Sequence, residues 1–138
     1  MTTACKRTWV SACIVAAFVA TLLLPATGAA TEVCEQGVCV EGAEWEHGSS
    51  LDDRTREREA KRNRKRKDAT LTVELVGSSA RGSVFIDGVW IAAAPISYVP
   101  LKPGKHDLEV RDGETVLARG VLAIPRKGGE VTVKITPP

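Results

Sequence analysis

The chain has 138 residues and 14.7 kDa, which is room for one modest domain and no more. Its formal charge of +2 comes entirely from Lys6 and Arg7, so everything beyond residue 30 balances bases against acids. With aromatics at 4%, composition names neither a ligand nor a reaction and leaves the weight on how residues are distributed along the chain.

Residues 1–30 have the order of an export signal. Lys6 and Arg7 form a positive start, the run WVSACIVAAFVATLLL from Trp9 to Leu24 carries no charge, and Pro25 is followed by the small residues a signal peptidase accepts. Cleavage is expected after Ala30. Extended to Ala30, the run also just reaches the ~20 apolar residues of a spanning helix, so retention as an anchor is the alternative. In both cases the two bases stay inside and the remainder lies outside, in the periplasm, in the envelope or released. Val10-Ser11-Ala12-Cys13 looks like a lipoprotein tetrapeptide, but here the apolar run follows Cys13 instead of preceding it.

Residues 31–50 form a short acidic segment holding Cys34 and Cys39. An even pair in an oxidising compartment reads as one disulfide, with Gly37 allowing the turn between. Two other readings stay open. A metal site would have only His47 and either Glu41 or Glu44 beside the thiolates, and redox catalysis usually places two residues between the cysteines, not four. No cofactor and no metal are expected.

Residues 51–69 read as a charged, mainly basic linker, helical or disordered. Glu32 to Asp53 contains seven acids and no Lys or Arg, whereas Arg54 to Lys67 contains nine bases against Glu57 and Glu59. With Ala60 as its one apolar residue, the run DDRTREREAKRNRKRKD has no face to bury and is read as solvated spacer. A sharper reading has Arg62, Arg64, Lys65, Arg66 and Lys67 attach to an anionic polymer: lipopolysaccharide, acidic glycan or phospholipid, the last as peripheral membrane contact. A third has the acidic stretch fold back on the bases and mask both. Export argues against nucleic acid, and no aromatics interleave the bases to stack on them.

Residues 70–138 change to period-two alternation. Leu71, Val73 and Leu75 share one face of a first strand. Val84-Phe85-Ile86 and Val89-Trp90-Ile91 flank Asp87-Gly88, a tight hairpin turn. Ile96 to Val99 is followed by Pro103-Gly104 in type II turn order. Leu108 and Val110 then face inward, with Asp107, Glu109 and Arg111 outward. Asp112-Gly113 turns into Val116 to Ala118, Gly120 marks a bulge before Val121 to Ile124, and Lys127-Gly128-Gly129 leads to the alternating Val131, Val133 and Ile135. Six or seven such strands with no helical period predict an all-β fold, a small sandwich. Phe85, Trp90 and Tyr98 are expected as its large core fillers, a ligand-binding aromatic patch being the alternative.

The stretch from Gly82 to Ile135 resembles the PEGA domain. Asp87-Gly88, Ala94-Pro95, Leu101, Pro103-Gly104 and His106 occupy the places of that family's turn pattern, while Ala93 and Ala94 stand where glycine and threonine are commoner. The resemblance implies an Ig- or prealbumin-like sandwich in an exported bacterial protein, acting as a binding or structural module without catalysis. It transfers no functional residues. His106 stands without a nucleophile or orienting acid at motif spacing and reads as a strand-edge hydrogen-bonding residue. The expectation is a non-enzymatic envelope or secreted protein that binds envelope polysaccharide or an envelope protein, the rival being electrostatic binding through 54–67.

Overall fold

The computed structural model describes residues 31–77 and 81–137; the expected export signal and the expected cleavage after Ala30 lie outside the described residues. Among the described residues, no helix is long and apolar enough to cross a membrane. In chain order the elements are β1 (Val33–Glu35), β2 (Val38–Glu41), β3 (Glu44–His47), α1 (Asp53–Asn63), β4 (Ala69–Leu75), β5 (Gly82–Ile86), β6 (Val89–Ala94), β7 (Ile96–Leu101), β8 (Gly104–Asp112), β9 (Thr115–Ile124) and β10 (Glu130–Ile135).

Two five-stranded sheets pack face to face as a β-sandwich, ordered β1-β2-β10-β4-β7 and β3-β9-β8-β5-β6. Pairing is antiparallel except for β4 with β10, which run parallel. Alternation explains the core directly. Leu71 and Val73 from β4 and Val131, Val133 and Ile135 from β10 meet Val84, Ile86, Leu108, Val110, Leu122 and Ile124 from the second sheet, all buried. The hairpin turn at Asp87-Gly88 has φ values of 51° and 79°, the double positive φ of a type I′ turn, and Asp87 N–H donates to the carbonyl of Asp107.

Three expectations need correction. The sandwich was expected to begin at about residue 70, yet it begins at Val33. β1 and β2 extend the first sheet through β10, β3 caps the second through β9, and Val38, Val40 and Trp45 enter the core. The acidic residues of 31–50 simply occupy the outward half of these alternating strands.

The expected core aromatics lie mostly outside. Phe85 falls between the inward Val84 and Ile86 and so points outward, and Trp90 pairs with it across the hairpin and shares that face, 57% exposed. Tyr98 is 77% exposed and has φ of 60°, within an irregularity where β7 pairs with β4. The buried aromatic is Trp45, at 7% exposure.

Gly120 is not a bulge. The shift in β8–β9 pairing falls at Val110/Arg111, opposite Leu117. What glycine provides at 120 is space: a Cβ there would sit 2.7 Å from the Trp45 ring and 2.5 Å from the carbonyl oxygen of Glu46.

Candidate functional site

The charged tract is neither disordered nor free. Asp52 caps α1 by accepting from the backbone N–H of Thr55, and from there the helix is clamped onto β8 by polar contacts in place of apolar ones. Arg56 bridges to Asp107 at 2.9 Å, while the other oxygen of Asp107 accepts from the N–H of Leu51. Glu59 accepts from the N–H of Lys105, and Asn63, 3% exposed, donates to both the carbonyl and the carboxylate of Glu59. Beyond the helix, Lys102 binds Asp68 and the carbonyl of Arg66, each at 2.7 Å.

Gly104 completes the seat. It has φ of +115°, and a Cβ there would run into the side chains of Asn63 and Glu59. Gly104→Ala is expected to cost more than about 1 kcal/mol and to loosen the helix selectively. Hydrogen exchange along 53–63 checks this, since protection there should fall while β4 and β10 keep theirs.

Arg56, Glu59 and Asn63 define the docked face, and the bases group on the opposite one. Arg54, Arg58, Lys61 and Arg62 follow one another at i, i+4, i+7 and i+8, all exposed. Of the residues expected to bind, Arg62, Arg64, Lys65 and Lys67 are exposed and continue this stripe, with Arg62 also 3.7 Å from Glu59. Arg66 departs from the expectation: it is half-buried, and its backbone serves attachment. The acidic stretch does not mask the tract. Among the described residues, the ion pair joining 32–53 to 54–67 is Asp53 with Arg56, within the helix itself.

His106 and Asp87 form a clasp at the base of the two turns. His106 is half-buried, with Nδ1 2.7 Å from Asp87 Oδ2 and Nε2 2.7 Å from the carbonyl oxygen of Lys102. Both partners are acceptors, an arrangement that the protonated ring satisfies with both nitrogens donating. Burial alone would lower the pKa of His106, but the hydrogen bond and charge of Asp87 outweigh it and raise it above 6.5. Burial likewise works to raise Asp87, and the hydrogen bond and charge of His106 with the N–H of Asp107 hold it below 3.8. This commits His106 to structure. Nothing in the sequence around His106 marks its partner, which lies 19 residues away in a hairpin turn.

Cys34 and Cys39 are joined in a disulfide across the β1–β2 pair. Glu32 brings a carboxylate within 4.8 Å of the two sulfurs, but bonded sulfurs have no thiolate to offer a metal.

The outer face of the second sheet carries a cleft of about 400 Å³. Its floor is the outward row of β8, Asp107, Glu109 and Arg111, with Arg119 of β9 beside Glu109 and Phe85 beyond. The segment 49–51 forms one wall. Glu109 joins Arg111 through one oxygen and lies 3.7 Å from Arg119 Nε through the other; the Arg111 guanidinium stands 5.6 Å above the Phe85 ring.

Comparison with family models, with curated proteins and with solved structures finds no match.

Proposed function

We propose that this protein is a non-enzymatic binding module working outside the cytoplasm, and that its ligand is an anionic polymer of the cell envelope held by the basic face of α1. The observation that carries this reading is the two-sidedness of the helix. One face is fixed to β8 through Arg56, Glu59 and Asn63, and the opposite face presents Arg54, Arg58, Lys61 and Arg62 in a fixed row continued by Arg64, Lys65 and Lys67. Docking removes much of the ordering cost that a disordered basic linker would meet on binding.

The chemistry favours a hydrated polyanion over a bilayer. A helix lying in a membrane surface needs an apolar face to insert, and the free face here is all charge. The Cys34–Cys39 disulfide and the signal-like first thirty residues support an extracytoplasmic setting. The PEGA-like turn pattern agrees with a sandwich that displays a binding element. The reading without catalysis is supported by His106, whose two nitrogens are both committed to structural partners.

Serine at Arg54, Arg58, Lys61, Arg62, Arg64, Lys65 and Lys67 together is expected to abolish binding to immobilised acidic polysaccharide while leaving the thermal midpoint nearly unchanged. For the unmodified protein, raising salt from 50 to 200 mM should weaken binding about 100-fold through counterion release. Surface plasmon resonance measures both. Binding that survives the serine variant, or that ignores salt, would remove the helix from the proposal.

A further inference from the structure

We infer that the cleft on the outer face of the second sheet is a separate binding site for one or two residues of an acidic sugar, a hexuronate being the simplest. The inference goes beyond the basic helix face and uses different residues. Arg56, which lines this cleft, belongs to the docked side of α1, opposite the exposed row.

Four properties of the cleft define its ligand. The first is charge. Arg56 is paired with both Asp107 and Asp53, whereas Arg111 and Arg119 share the single carboxylate of Glu109, so one guanidinium charge is left over beside Glu109 and the ligand carries about one negative charge there. The second is its mixture of donors and acceptors. Arg111 and Arg119 approach Glu109 through Nε, which leaves their terminal amino groups for a carboxylate, a pairing that can be bidentate. The lone pairs remaining on Glu109 and Asp107, at the floor, call for hydroxyl donors. A ligand of carboxylates alone supplies none and would be repelled there, and an acidic peptide, whose donors are its backbone N–H groups and its N-terminus, has no hydroxyl to offer.

The third property is an apolar platform. Phe85 lines the cleft, and Trp90, its cross-strand partner, adjoins it on the same face with more than half its surface free. The Phe85 ring already carries the Arg111 guanidinium and keeps it in place, so the indole is the face on which the C–H side of a sugar can lie. A bare phosphate polymer has nothing to set against it. The fourth is size: about 400 Å³ lies at the low end of small-ligand sites, enough for one or two sugar residues and too little for a longer run. An anion, several hydroxyls and an apolar face within one or two rings describe a uronic acid.

The test is an NMR titration of the chain from residue 31 with a glucuronate-containing disaccharide, with the same disaccharide after reduction of its carboxyl group, and with tetraglutamate. The acidic disaccharide should shift the Trp90 indole signal and the amides of 83–90 and 107–111, and the reduced sugar should bind at least tenfold more weakly. Arg111→Gln and Arg119→Gln should each weaken binding at least tenfold, and Trp90→Ala likewise. All three side chains are exposed, and unchanged thermal midpoints would establish that the variants fold. The serine variant of the helix should bind the disaccharide as the unmodified protein does, which separates this site from the polymer-binding face. Equal binding of the reduced sugar, tetraglutamate binding as tight as the disaccharide, or the absence of any shift at Trp90 would each overturn the assignment.

Discussion

A chain shortened to residues 69–138 is expected to remain unfolded, although it keeps seven strands. Removing β1 to β3 takes Val38, Val40 and Trp45 out of the core, and the first two are fully buried. At about 1.5–3 kcal/mol for each valine and about 3–5 kcal/mol for the tryptophan, the loss matches the total stability of a small domain. It also strips β10 and β9 of one neighbour each, leaving their backbone groups unpaired. Circular dichroism with urea titration measures the result, and a cooperative transition in the shortened chain would show that the later strands suffice. Trp45→Ala tests the same claim by a single change. It should cost about 3–5 kcal/mol, because the indole fills the space that Gly120 leaves open.

The second large effect concerns pH. His106, raised above its ordinary 6.5, contributes stability that is fully present below that value and is lost as pH rises through its folded pKa. Asp87, held below 3.8, contributes stability that is present above that value and is lost as pH falls through its folded pKa. Both contributions are complete between 3.8 and 6.5, so stability should peak at mildly acidic pH and decline above it. His106→Ala should cost about 2 kcal/mol at pH 5.5, where two charge-assisted hydrogen bonds disappear. Asp87→Asn is the sharper probe. Without the carboxylate the burial of His106 goes unopposed by that charge, and the decline above pH 6.5 should vanish. Thermal midpoints from pH 4 to 9 decide it, and a curve for Asp87→Asn that parallels the unmodified protein would remove the clasp as the cause.

What the sequence discloses depends on the range of the interaction. The turns at Asp87-Gly88, Asp112-Gly113 and Lys127-Gly128-Gly129 are local, so the strands β4 to β10 are readable between them, and so are the inward aliphatic residues of β4, β8 and β10. β1 to β3 alternate as well, with Val38, Val40 and Trp45 inward, but runs of three or four residues crowded with acids read more strongly as charge than as strand.

Phe85 shows a local rule overlooked, since Val84 and Ile86 inward place it outward. The docking of α1 is different in kind. A helix without an apolar face gives no periodic signal, and its contacts reach Lys105 and Asp107, 46 and 56 positions away from Glu59 and Leu51. The cleft depends on register, because Phe85, Glu109 and Arg119 come from three strands and adjoin only when those strands pair.

The place of β10 has a consequence for how the chain is made. It lies between β2 and β4 in the first sheet, so those two strands touch neither each other nor any shared partner until residues 130–135 have been synthesised. Until then a nascent chain holds two separated fragments of that sheet and no closed core. Closure of the sandwich therefore waits for the last strand, which joins its two neighbours only once the whole domain is present.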